Sequence, residues 1–409
     1  MSEPEDFPGH SKSPQKANNS ALLLTLASGA VIAGTYAAIF RFGADIYAPL
    51  GMMLIAIVLS ICAIAVSVAI NNSTDPIRGT RRLWLVLSAL LLVHGSVALL
   101  CCKWIPGTTI DTFTFQRDAC KNLMRGIDPY GTTQFDIYDQ RNTALFYGAG
   151  MVVNGRVQVG FQYPPLTLLW ALPGYFLGDV RYSYIFAVII SALFSFALFP
   201  NARGLLIASI LLLNPLTLFI ENRCWTEPLV LMLLSATLYA TVKKRWWLPI
   251  TLGLLLASKQ YNFLALPFIG CLVYPFQWKS YLRLLGWSTA VATATMVPFA
   301  CWNFGALWHD LVLFHLAQPF RQDAVSFAVP FPIMLKIGPV FGGAFILWAI
   351  QNGARNVAMF AAGYGIALLL FVSTSKQAFA NYYFLIAQSL LLAVAVLPPR
   401  QQHKAPQPG

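Results

Sequence analysis

Asp111 follows within a few residues of an apolar helix and opens the one long polar interruption of the chain, Thr108 to Pro165. That stretch begins TTIDTFTFQRDACKNLMRGIDPYG and ends FQYPP, so acids, bases, Gly-Pro punctuation and aromatics gather between hydrophobic runs. A carboxylate at a lipid-water boundary is partly desolvated, which lifts its pKa above the reference value of about 3.9 and makes it a stronger base. The same run is rich in capping residues, so a helix cap at Asp111 is the competing assignment. Asp118 comes seven residues later, about two helical turns on, and falls on the same side of any helix formed there. Asp128, in GIDPYG, reads as a turn residue because Asp-Pro favours turn initiation.

Other charges lie beside apolar runs far along the chain. FIENRCWTEPLV places Glu221, Arg223 and Glu227 between two apolar helices, where a charge is a functional candidate, a snorkelling anchor, or one half of an Arg223 ion pair with either glutamate. Lys259 and Gln260 interrupt an apolar stretch with almost no loop around them, and Tyr261 and Asn262 follow directly. The lysine either snorkels at a tight hairpin or points into a polar cavity and meets an anion. WNFGALWHDLVLFHLAQPFRQDAVSF carries His309, Asp310, His315, Gln318, Arg321, Asp323 and Ser326. Arg321 is its only cation, and the planar guanidinium fork suits phosphate oxygens as well as it suits a lipid headgroup. STSKQAFANYYFL puts Lys376, Asn381, Tyr382 and Tyr383 at the entry to the last apolar run, where tyrosines also serve as an aromatic belt.

The elements that must position these residues are membrane helices. Of 409 residues, 57% are hydrophobic and 10% charged, against about 45–50% and about 25% in soluble domains. This predicts an all-α polytopic membrane protein. Apolar runs over 21–41, 48–70, 83–101, 182–199, 203–219, 226–242, 246–258, 262–276, 284–301, 328–350, 356–373 and 380–397 suggest about twelve spans. The net charge of +12 comes from 27 Lys and Arg scattered through loops without a clustered stripe, which suits orientation in an anionic membrane and not nucleic acid. The seven cysteines show no CxxC or Cys/His pairing and read as apolar packing residues. The tail 1–20 is polar, too long and acidic for a signal-peptide n-region, and reads as a disordered cytoplasmic tail, with a second cytoplasmic tail over 398–409.

Pro164 to Leu177 is apolar enough to pass for a span, and charge decides its placement. If it lies in the interface as a juxtamembrane helix, begun by its two prolines and broken at ALPG, then Arg78/Arg81/Arg82, Arg203, Lys243/Lys244/Arg245, Lys279/Arg283, Arg355 and Arg400/Lys404 share the side of both termini. The loop 102–181, the turn 221–227, the edge around Lys259, the loop 302–327 and the turn 373–381 then all face outward. One extracytoplasmic site built from distant segments is the expected result.

In this order and spacing the segments resemble the GT-C superfamily of polytopic glycosyltransferases, most closely the polyprenyl-phosphate-mannose-dependent mannosyltransferases of family 87. The resemblance covers 83–397 and rests on IDTFTFQRDACKNLMRGIDPYG, on FQYPPLTLLWALP with Tyr163, on LLLASKQYNFLALPF, and on NYYFLIAQSLLLA. The two runs within 21–82 lie outside it. It implies an inverting transfer in which Asp111 deprotonates an acceptor hydroxyl on a lipid or glycan, the hydroxyl attacks the anomeric carbon of a sugar on a polyprenyl phosphate, and the lipid phosphate leaves. Lys259, Arg321 and Arg223 become candidates for the donor phosphate, with Glu227, Gln260, Asp118, Tyr163, His315, Lys376 and Tyr382 as further substrate-binding candidates. Where many members carry a Gly-Gln element this chain has ENRCWTE, closer to the Arg and acid of protein mannosyltransferases, so the donor sugar, mannose or another hexose or pentose, stays open. No cofactor is implied, although Asp111 and Asp118 leave room for a divalent metal. A bacterial plasma membrane with the site outside is the expected location. Two other classes remain: a transporter or flippase of a polyprenyl-linked substrate, which calls for polar residues across the bilayer midplane, and a catalytically inactive GT-C-like assembly subunit.

Overall fold

The computed structural model describes residues 62, 66, 76–104, 110–353 and 355–397. The expected spans at 21–41 and 48–70, both tails and the segment 105–109 therefore lie outside the described residues, apart from Cys62 and Val66. The chain divides into two compact units, 1–90 and 91–409. In the first, the residues of helix α1 (Pro76–Trp104) up to Leu90 bury Leu83, Leu87 and Leu90, the spacing of one helical face.

The second unit is helical throughout its apolar length. Helix α2 (Asp111–Met124) is amphipathic and buries Thr112, Phe113, Phe115, Gln116, Ala119 and Cys120. A short loop domain follows, with α3 (Gln140–Phe146) and a three-stranded antiparallel sheet, β1 (Gln134–Phe135), β3 (Arg156–Val157) and β2 (Val152–Val153) in that order. Its Tyr147, Met151, Val157 and Val159 form one apolar cluster with Phe115 of α2 and with Phe314. Helix α4 (Pro165–Phe176) starts at the paired prolines, as expected, but continues through Pro173 where ALPG suggested a break. Its twelve residues span roughly 18 Å, too short for a hydrocarbon core of about 30 Å.

The bundle comprises α5 (Arg181–Leu198), α6 (Ala202–Leu213) bent by 51° into α7 (Pro215–Asn222), α8 (Glu227–Val242), α9 (Leu248–Ser258), a 3-10 helix (Gln260–Leu272) and α10 (Trp278–Trp308). A π turn (His309–Leu313), α11 (Phe314–Ala317), α12 (Met334–Asn352), α13 (Val357–Val372) and α14 (Ala380–Val396) complete it. Helix α8 packs on α5 and α9, and α13 on α14 and the 3-10 helix. Apolar on every face, α8 buries nearly all of its residues and forms the centre. Four helices among the described residues are long and apolar enough to cross a membrane, five if α6 and α7 count as one bent span, and four shorter apolar helices stand beside them. Helices α10 and α12 leave Trp287, Val297, Val340, Phe341 and Leu347 exposed, a surface of the kind that water-soluble proteins avoid and lipid accepts.

Candidate functional site

The first residue of α2 is Asp111. Ile110 occupies the cap position and makes no side-chain cap hydrogen bond, so Asp111 is not the helix cap that the run also allowed but the acid of the first turn. Its carboxylate stands at the positive end of the helix dipole. Two tyrosines from the loop domain hold it: Tyr147 donates its hydroxyl to Oδ2 at 2.9 Å, and the Asp111 backbone N–H donates to the Tyr138 oxygen at 3.1 Å. Burial pushes the carboxyl above its ordinary value, and the Tyr147 hydroxyl, the Thr112 backbone N–H and the Arg321 charge oppose that shift without cancelling it. The environment thus makes Asp111 a stronger base than a solvated aspartate.

Helix α2 is bolted to the turn 221–227. Thr112 Oγ1 donates to the Arg223 carbonyl at 2.8 Å, and Gln116 Nε2 to the Cys224 carbonyl at 2.7 Å. These bonds bring Arg223 to the same opening as Asp111. Beyond them, Asp111, Arg223, Lys259, Gln260, Tyr163, His315, Arg321 and Tyr382 line one cavity of about 510 Å³. Each of the five segments expected to share a face contributes to it: the long loop through Asp111, the turn 221–227 through Trp225, the 259–261 edge through Lys259, the 302–327 loop through Gln318, and the last turn through Asn381.

Lys259 lies buried in the cavity wall and does not snorkel. Its ammonium sits 3.1 Å from Glu227 Oε1, hydrogen-bonds Thr226 Oγ1, and faces the Tyr163 ring at 4.4 Å. Tyr261 donates to the same Glu227 oxygen at 3.1 Å, while Oε2 has no hydrogen-bond partner among the described residues. Glu227 is therefore the counter-ion behind Lys259 and does not line the cavity. Glu221, the other proposed partner of Arg223, instead pairs with His94 Nε2 at 3.0 Å. Arg321 is clasped by Asp323 through two bonds of 2.7 and 2.6 Å and lies over the Phe146 ring at 4.0 Å. That clasp holds the Asp323 carboxyl below its ordinary range.

The FQYPP segment is fixed from behind. Asp310 accepts the Gly160 and Phe161 N–H groups at 2.8 Å each, and Tyr130 donates to the Tyr163 carbonyl at 2.8 Å. A Cβ at Gly160 would collide with the Pro129 carbonyl, so the close approach needs glycine. His315 Nε2 donates to the Gln162 carbonyl at 2.9 Å, which fixes its tautomer, and Gln260 donates to the same oxygen at 2.8 Å.

Besides Glu227, two more candidates, Asp118 and Lys376, fall outside the lining. Asp118 shares a side of α2 with Asp111 in sequence, yet two turns carry it about 10 Å along the axis, and its carboxylate pairs with Arg117 at 2.9 Å. Lys376 donates to the carbonyls of Leu316 and Gln318 at 2.9 and 2.5 Å and so braces the 316–318 backbone. Among the described residues no group of three or more His, Cys, Asp or Glu is placed to hold a metal ion. The sequence reading missed Tyr138 and Tyr147, which carry no local signal, and His94, whose place in the middle of an apolar helix was signal enough. No family model matches the chain, and no curated protein or solved structure was found to be similar to it.

Proposed function

We propose that this cavity transfers a sugar from a polyprenyl phosphate to a hydroxyl of a lipid or glycan, with inversion, as a GT-C-type glycosyltransferase of about twelve spans whose site faces the extracytoplasmic side. The acceptor oxygen attacks the anomeric carbon, its proton passes to the Asp111 carboxylate, and the bond from that carbon to the phosphate oxygen breaks with its electron pair going to the leaving polyprenyl phosphate. Lys259, Arg223 and Arg321 offset the charge that develops on phosphate. The observation that carries the reading is the convergence of one activated carboxylate and three cations, from four distant segments, on one cavity. General-base assistance and electrostatic stabilisation each contribute about 10²–10³ or more in rate. The apolar flank of the same cavity, Phe263, Leu311 and Phe371, offers a prenyl chain a surface continuous with the bundle.

The test is incubation of the purified chain in proteoliposomes with a panel of radiolabelled polyprenyl-phosphate sugars and a membrane-extract acceptor fraction. Consumption of one donor by the wild type and not by Asp111→Asn supports the reading; equal consumption by both removes Asp111 as the base. One observation favours a transporter instead: the buried His94–Glu221 pair, with Glu221 Oε2 left without a hydrogen-bond partner among the described residues, places ionisable groups within the apolar bundle. Donor accumulation across the vesicle membrane without its consumption would favour that reading.

A further inference from the structure

A second cavity of about 680 Å³ lies at the other end of the bundle. Helix α8 starts at Glu227 beside the first cavity and ends at Val242, about 24 Å away at 1.5 Å per residue. Lys244, Arg245 and Arg283 line the second cavity together with Trp246, Tyr274 and Trp287. The three aromatic side chains are 82%, 79% and 63% exposed, the display of an interfacial belt and not of a packed core.

Among the described residues the charges are uncompensated. The sequence from Pro228 to His309 contains no Asp or Glu, and among the described residues none of the three cations has an acidic partner within ion-pair distance. The backbone is also committed to presenting them. Lys244 N–H bonds to the Thr241 carbonyl at 3.1 Å and Arg245 N–H to the Ala240 carbonyl at 2.7 Å, the pair of bonds that ends a helix in a Schellman turn. That turn needs a left-handed residue, normally glycine, yet here Lys244 takes it at φ +50. A strained lysine is held where glycine would be easier, beside two arginines and an aromatic wall.

We propose that this cavity binds the phosphate headgroup of an anionic phospholipid, with Lys244, Arg245 and Arg283 on the phosphate and Trp246 and Trp287 along the glycerol and upper acyl chains. The site is independent of the transferase reading. Its ligand chemistry, a phosphate ester, is shared with water-soluble phosphates, and the aromatic wall favours the amphiphile.

The full chain in detergent, titrated with phosphatidylglycerol or phosphatidylcholine and read by native mass spectrometry, tests this. The wild type is expected to retain one phosphatidylglycerol in preference to phosphatidylcholine. The triple variant Lys244→Gln, Arg245→Gln, Arg283→Gln should weaken that retention about a hundredfold, since each basic group near an anionic surface contributes several-fold and the three multiply. A charge-matched variant with the exposed Lys121, Arg125 and Arg141 changed to Gln should retain it. Equal retention of the two lipids by the wild type, or equal loss in both variants, overturns the proposal. Glycerol 3-phosphate is the second arm: if it displaces the lipid at comparable concentration, the ligand is a soluble phosphate and the lipid assignment falls. If the triple variant unfolds, a single Arg283→Gln change is read in the same way.

Discussion

The Tyr147 hydroxyl donates a hydrogen bond to Asp111 Oδ2 at 2.9 Å across 36 residues of chain. That bond opposes the effect of burial on the carboxyl, so the tyrosine sets how strong a base the aspartate is. Tyr147→Phe should move the acidic limb of the pH-rate profile upward. At pH below that limb, kcat/KM should fall about tenfold, the loss expected for one hydrogen bond to a charged group. A profile of kcat/KM against pH for wild type and variant checks the direction; an unmoved limb would mean that Asp111 is not the titrating group.

Asp111→Asn should lose about 10²–10⁴ in kcat and should be at least as stable as the wild type at neutral pH. The sign follows from linkage. Burial raises the folded-state pKa above the unfolded value, so ionisation of Asp111 opposes folding. That penalty is absent below the unfolded pKa, grows as pH rises through the window between the two, and is complete above the folded pKa. An uncharged amide escapes it and still accepts the Tyr147 hydroxyl. Thermal unfolding of both proteins at pH 7, set beside single-turnover transfer, measures the two effects separately.

Lys259 and Glu227 form a pair with side chains only 6% and 0% exposed, and breaking such a pair from one side strands the other charge. Lys259→Met should therefore destabilise by about 3–5 kcal/mol, while adding Glu227→Gln should recover much of that loss. Unfolding midpoints of the two singles and the double give the coupling directly. If the cation also stabilises the leaving phosphate, the double variant will fold and still transfer slowly.

The helices and the polar clusters that meet at one cavity were legible because lipid tolerates charge so poorly that Asp111, Arg223, Lys259 and Arg321 stand out wherever they occur. The finer assignments depended on which partner each charge found. Glu227 reads alike as a ligand to substrate or a counter-ion until Lys259 is seen at 3.1 Å. Helical periodicity put Asp118 on the side of Asp111, but the neighbouring Arg117 takes its carboxylate. Tyr138 and Tyr147 reach Asp111 only through the fold of the loop domain, and a chain with 16 tyrosines gives no reason to choose those two.

Asp310 acts on the FQYPP segment from behind the cavity wall, as a positioning residue. Its Oδ2 accepts the Gly160 and Phe161 N–H groups and its Oδ1 lies 2.9 Å from His309 Nδ1. Asp310→Ala would leave two buried N–H groups without an acceptor, each costing about 1–3 kcal/mol, and would loosen Tyr163 over Lys259. The expected outcome is a raised KM for the donor with a smaller change in kcat, partly restored by Asp310→Asn, which keeps an acceptor oxygen. A fall in kcat with KM unchanged would place Asp310 in the chemistry itself.

The His94–Glu221 pair separates transfer from transport. Both side chains are 1% exposed, and His94 Nδ1 lies 2.8 Å from the Leu212 carbonyl, so the imidazole fastens α1 to the end of α6. If the chain is a transferase, this pair is a structural clamp. Glu221→Gln should then leave donor turnover within about threefold of wild type, because Nδ1 still donates to the Leu212 carbonyl and the amide N–H can donate to Nε2, while His94→Leu destabilises by about 3–5 kcal/mol through the stranded carboxylate. If the chain moves its substrate across the membrane by protonating this pair, Glu221→Gln abolishes pH-driven accumulation in vesicles at unchanged stability. Measuring turnover and uptake on the same Glu221→Gln proteoliposomes distinguishes the two, since the clamp predicts that neither moves and the relay predicts that uptake alone is lost.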